Sequence, residues 1–199
     1  LHLCSHNLET INNTTSTTSD TLLAEVCYAA KFEGESISQN HGKHQETNSG
    51  TASQLCTVLA RSFADIGDIV RGKDPFYGNT HESKQREKLE ENLQKIFRNI
   101  YEGLKNGQKS AEAEKRYKDG APEFYKLRED WWNANRHTVW KAITCGTHDG
   151  DTYFRKTCSD ERSESIANHY CRCNGDKPGD DKPKTDPPTY FDYVPQYLR

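Results

Sequence analysis

Residues 89–104 read LEENLQKIFRNIYEGL, and in them Leu89, Leu93, Ile96, Ile100 and Leu104 recur at three- and four-residue spacing with Glu, Gln, Lys, Arg and Asn between. That period lays one apolar stripe along an α-helix and leaves the other faces to water. Gly107 is its expected stop. The same reading extends outward in both directions. Downstream, Pro122 suits a first helical turn, and Phe124, Leu127, Trp131, Ala134, Thr138 and Ala142 line one face as far as Cys145-Gly146, with Trp132, Arg136 and Trp140 on a neighbouring face. Upstream, Leu55, Leu59, Phe63, Ile66 and Val70 predict a helix from about Ala52 that ends at Arg71-Gly72-Lys73-Asp74-Pro75. Before it, Ser19-Asp20 supplies capping side chains for a short helix over Thr21 to Phe32.

Between these helices the periodicity lapses. Glu33 to Ser49 scatters Gly, Ser, Asn and His and reads as a long exposed loop, and Asn174 to Pro188 reads as a mobile Gly/Pro/Asp/Lys loop. A short helix is expected around Ser163 to Tyr170. Tyr190-Phe191-Asp192-Tyr193-Val194 should return to the core, after which Pro195 opens a further helix. The fold class is therefore mainly α.

Only 32% of the 199 residues are hydrophobic, so the core is expected to be thin. Crosslinks commonly supplement such a core in an oxidising compartment, and seven cysteines offer them: Cys4, Cys27, Cys56, Cys145, Cys158, Cys171 and Cys173. Cys27 and Cys56 flank the expected loop between two helices and are read as its clamp. Cys145, Cys158, Cys171 and Cys173 are expected to pair among themselves, in any of three connectivities. Cys4 is expected to find its partner outside this stretch, because the absence of methionine marks the sequence as an excised piece of a longer chain. No apolar run approaches the roughly 20 residues of a membrane-spanning helix, so any anchor is expected elsewhere.

Cys145, His148, Cys158, His169, Cys171 and Cys173 have the donor types of a zinc site, but Cys171-x-Cys173 is tighter than zinc-ligand spacing. No metal or other cofactor is expected. There is no triad, phosphate-binding glycine loop or HExxH, and the glycines of Gly67 to Gly72 follow a helix, not a strand. No catalytic residue is assigned. A net charge of -3, from 27 basic and 30 acidic residues, argues against a nucleic-acid partner.

Charge is clustered locally. Lys84, Arg86 and Lys88, and further on Lys115, Arg116 and Lys118, are the candidate receptor-binding cations, since basic groups at helical spacing sum their potential over one face toward a sulfated glycan. The second cluster lies in the connection before Pro122, so the fold could bring both to one side. Glu82, Glu87, Glu90, Glu91, Glu112 and Glu114 support the plainer reading of a solvated, balanced face. The tryptophans are read as core and not as receptor contacts, and overlapping Asn-x-Thr triplets at Asn12 and Asn13 imply exposure if glycosylated.

Four strings carry a resemblance across the whole chain: Leu1-His2-Leu3-Cys4, Ala60 to Gly72 (ARSFADIGDIVRG), Leu127 to Arg136 (LREDWWNANR) and Tyr190 to Arg199 (YFDYVPQYLR), with Trp140 to Cys145 and Cys171-Arg172-Cys173 between them. They resemble the alpha-class Duffy-binding-like domain of the Plasmodium falciparum erythrocyte membrane protein 1 family. The resemblance implies a disulfide-linked helical scaffold, with 1–75 as part of subdomain 1, 76–199 as subdomain 2 and a third subdomain outside the stretch. It implies adhesion or rosetting at the extracellular face of the infected erythrocyte, with heparan sulfate, blood-group sugars and complement receptor among the partners. An adjacent interdomain module of the same chain is implied too, of the kind that binds an endothelial scavenger receptor in the cysteine-rich subset.

Overall fold

The computed structural model describes residues 18–47, 54–73, 80–107, 110–160 and 163–199. Five α-helices carry the fold: α1 (Ser19–Thr47), α2 (Leu55–Arg71), α3 (Thr80–Lys105), α4 (Ser110–Tyr117) and α5 (Tyr125–Ile143). An antiparallel hairpin of β1 (Lys156–Asp160) and β2 (Ser163–Ile166) follows, with a bulge between Lys156 and Cys158. The mainly α class is as expected. The described residues form two compact units, one of Cys27–Ile66 with Arg136–Arg199, the other of 18–26 with Gly67–Asn135. Both are assembled from separated segments.

α1 is far longer than its apolar pattern. Thr18 caps it, accepting the Thr21 amide on its hydroxyl at 3.3 Å, in place of the expected Ser19-Asp20. The helix then runs through most of the segment read as a loop, so the loop over Glu33 to Thr47 is overturned. Gly34 misleads because its role is proximity: a Cβ there would overlap the Ile143 carbonyl oxygen of α5. Only glycine lets the two backbones meet. Ser62 of α2 hydrogen-bonds Glu33 at 3.3 Å, and Lys31 pairs with Glu35 at 3.8 Å, which supports the extended helix from its polar side.

α2 ends as its sequence predicts. Gly72 takes φ +70°, the Lys73 amide bonds the Asp68 carbonyl at 2.8 Å, and the Gly72 amide bonds the Ile69 carbonyl at 3.1 Å, which is a Schellman stop. α3 buries Leu89, Leu93 and Ile96, then Phe97 and Tyr101, while Leu104 is exposed. The buried row thus follows the i, i+4 ridge and drifts off the expected stripe in its last turns. α5 begins at Tyr125, not in the turn of Pro122, which follows a cis peptide bond at Ala121. The segment before it, read as a plain connection, contains α4.

In the unit of 18–26 and Gly67–Asn135, Trp131 donates to the Ser19 hydroxyl at 3.0 Å and meets Phe97 edge-on at 6.1 Å. Trp132 is fully buried, and a Cβ on Gly67 would stand 2.7 Å from its ring. In the other unit, Trp140 donates to the Cys171 carbonyl at 3.0 Å and meets Phe63 at 5.2 Å. All three tryptophans are core, as read. What the sequence concealed is a set of buried arginines. Arg128 reaches the Val70 carbonyl at 2.6 Å and Glu90 at 2.6 and 2.8 Å; Arg71 holds Asp68 at 2.9 Å and Glu129 at 3.1 Å. Arg136 forks onto Asp192 at 2.8 and 2.9 Å. Paired guanidinium groups occupy interior volume that the sparse apolar residues do not fill.

The expected helix around Ser163 to Tyr170 is replaced by strand β2, Ser163–Ile166, which pairs antiparallel with β1. Nor is Asn174 to Pro188 an untethered loop. Buried Asp176 accepts the Lys182 amide at 2.7 Å, Arg172 reaches Asp181 at 2.8 Å, and Lys141 donates to the Lys182 carbonyl. Polar bonds order what apolar area would not. The 190–194 segment likewise returns through Asp192, 1% exposed, while Tyr190 and Tyr193 remain outside. After Pro195 the chain makes one 3-10 turn, Gln196–Leu198.

Two disulfides form: Cys56–Cys171 and Cys158–Cys173. The second lies within the expected group of four. The first overturns the Cys27–Cys56 clamp, because the expected loop is helix over Glu33 to Thr47, and it also takes Cys171 out of the group of four that was expected to pair within itself. Cys27 and Cys145 are free thiols. Cys4 and the asparagine triplets lie outside the described residues.

Candidate functional site

Lys84 and Lys88 sit one turn apart on α3, both exposed, and so present a short basic row on one helix face. Arg86, between them, is half-buried and lines a cleft of about 590 Å³ whose walls include Glu87, Glu90, Glu91 and Glu123. Its charge is opposed locally by carboxylates.

The second cluster closes α4. Lys115 and Arg116 occupy the last turn, where the carbonyl end of the helix dipole favours cations, and Lys118 follows immediately. Arg116 is committed to Asp130 of α5 through two bonds of 2.5 and 2.7 Å, and Tyr117 donates to the same carboxylate at 2.6 Å. The hydrogen bonds from Arg116 hold the Asp130 carboxyl below the usual range and raise Arg116 in return. Lys115 and Lys118 remain as exposed ammonium groups.

α3 and α4 both meet α5 near its start. Side chains two positions apart on a helix point about 200° apart. Arg128 reaches Glu90 of α3, whereas Asp130 reaches Arg116 of α4. The candidate cations thus lie on two helices, with Lys84 and Lys88 exposed on α3 and Lys115 and Lys118 exposed at and just after the end of α4. Asp130, which takes up Arg116, comes from another segment, whereas Glu87, Glu90 and Glu91 beside Arg86 belong to its own helix and to the balanced face read from the sequence.

The cysteine chemistry is structural. Cys158, Cys171 and Cys173, weighed as zinc donors, are consumed in disulfides. Burial pushes the Cys27 thiol from its ordinary 9.0 up to about 11, which removes it as a nucleophile near neutral pH. Among the described residues no helix is long and apolar enough to cross a membrane.

Residues 1–199 match the family model of the Duffy binding domain from end to end. No curated protein matches the chain. Among the described residues, five α-helices and two disulfides agree with that match. The chain belongs to the Duffy binding domain family, whose members are non-catalytic modules that bind host receptors.

Proposed function

We propose that this domain is the adhesion module of a variant antigen of the erythrocyte membrane protein 1 family, alpha class, displayed on the extracellular face of the infected erythrocyte, where it mediates cytoadhesion or rosetting. Its first ligand is a sulfated glycan such as heparan sulfate. Blood-group sugars and complement receptor are further candidates, and the adjacent interdomain module is the partner within the same chain. The supporting observation is the Lys84–Lys88 row on α3, with Lys115 and Lys118 as a second row at the end of α4. Exposed ammonium groups in helical register hold sulfate by Coulomb attraction screened over about 8 Å at physiological salt. Two disulfides fit the oxidising surroundings of a displayed protein.

The test is elution from immobilised heparin. Replacing Lys84 and Lys88 by glutamate, or Lys115 and Lys118, should lower the eluting salt with little loss of stability, because exposed charges contribute at most about 1 kcal/mol each. Unchanged elution in both double variants refutes the sulfated-glycan site. The opposition of Arg86 and Arg116 by carboxylates favours a second reading, in which the domain is a structural spacer and antigenic shield beside the true receptor-binding module. Failure of the isolated domain to bind any host surface would select it.

A further inference from the structure

The base of the β1–β2 hairpin forms the floor of a cleft of about 780 Å³ within the unit of Cys27–Ile66 and Arg136–Arg199. Thr152, Phe154 and Lys156 on the approach and Ile166 and Asn168 on the return line it, with Lys156 and Ile166 paired directly across the hairpin, and Tyr153 and Ser165 also reach the lining. The wall opposite is built by Gln54, next to the start of α2, and by the Asn174-Gly175 turn.

Both disulfides brace this frame. Cys56–Cys171 ties the start of α2 to the segment just before Asn174, and Cys158–Cys173 ties β1 to the same segment. A cleft whose walls are covalently fixed orders little on binding, which is the condition for affinity from a small contact.

The lining selects a ligand chemistry. Phe154 and Ile166 are 44% and 39% exposed, a large apolar pair left in water beside three primary amides, Gln54, Asn168 and Asn174. Primary amides match the donor and acceptor of a peptide group. A sugar platform needs an open aromatic face, but Arg155 stacks over the Phe154 ring at 5.0 Å, with Tyr153 at 4.8 Å and Phe191 at 6.2 Å beside it. The second apolar wall is β-branched Ile166, which suits an aliphatic or aromatic side chain. Lys156 lines the cleft, Arg155 reaches the Phe154 ring that lines it, and no carboxylate is among the described lining residues.

We propose that this disulfide-braced cleft is a second receptor site, which takes an extended polypeptide segment carrying an apolar anchor residue next to Asp or Glu. The anchor seats between Phe154 and Ile166, the amides bond the peptide backbone, and Lys156 with Arg155 faces the acidic side chain. The site is independent of the lysine rows on α3 and α4 and differs from them in ligand class.

An array of immobilised linear dodecapeptides, graded in apolar and acidic content, tests this with the oxidised full chain beside a neutral-oligosaccharide array. Peptides with an apolar residue beside Asp or Glu should be retained, and Phe154→Ala with Ile166→Ser should lower retention at least tenfold. Lys156→Glu should move the preference to basic peptides. These side chains are partly exposed, so far-ultraviolet circular dichroism and the melting temperature of each variant should stay close to the parent's. Peptide retention no better than that of the double variant, retention indifferent to Lys156→Glu, or oligosaccharide retention that depends on Phe154 would each overturn the proposal.

Discussion

Replacing Asp192 by alanine removes the carboxylate that Arg136 grips through Nε at 2.8 Å and Nη2 at 2.9 Å. The pair is deeply buried, with 9% of the arginine side chain and none of the aspartate exposed. The guanidinium would keep the Thr189 carbonyl at 2.8 Å and the rings of Tyr193 at 5.1 Å and Phe63 at 5.7 Å, none of which carries a full negative charge. A buried charge stripped of its partner typically costs about 3–5 kcal/mol. For a chain of this size each kcal/mol moves the melting temperature by about 2–4 °C, so the fall should be about 6–20 °C. Thermal and urea unfolding followed by near-ultraviolet circular dichroism would read it. The companion double variant, Arg136→Met with Asp192→Leu, should recover most of the loss, because an apolar pair carries no desolvation debt. A fall of about 2 °C or less in Asp192→Ala would refute the claim that buried arginine pairs stand in for a larger apolar core.

Non-reducing peptide mapping should return Cys56–Cys171 and Cys158–Cys173 with Cys27 and Cys145 alkylatable. A Cys27–Cys56 peptide would contradict the structure. Removing Cys56–Cys171, which closes a loop of 115 residues, should cost about 5 kcal/mol in the chain-entropy model, against about 3 for Cys158–Cys173 with its separation of 15. The Cys27 thiol also sets a pH dependence. Its folded value, about 11, exceeds the ordinary 9.0, so the unfolded chain loses the proton first and stability should fall as pH rises from 9 to 11. Cys27→Ala should flatten that limb of the stability curve, and equal alkylation rates for Cys27 and exposed Cys145 at pH 8 would deny its burial.

The helices were legible wherever apolar spacing and a stop coincided, as in Leu89 to Leu104 and at Gly72. They were illegible where a residue was chosen for a distant neighbour. Gly34 reads as a breaker until the Ile143 carbonyl is placed against it, and Arg136 reads as a solvated helix residue until Asp192, 56 positions later, folds back. The strand at Ser163–Ile166 was missed because four polar-rich residues carry little periodicity, and a disulfide at Cys158 holds the hairpin more than its sequence does. Of the candidate site, residue types and exposure of the four lysines were readable. The glutamates beside Arg86 were readable too, since most share its helix, but the loss of Arg116 to the Asp130 fork was not, because that partner is brought in by the fold.

Surface plasmon resonance of the isolated, oxidised domain over immobilised heparan sulfate, run at increasing salt, tests the adhesion reading most directly. Saturable binding is expected that weakens steeply as the Debye length contracts from about 8 Å toward 3 Å, and that is reduced when Lys84 and Lys88 become glutamate. Flat responses at high micromolar protein, or binding indifferent to salt and to those lysines, would contradict it.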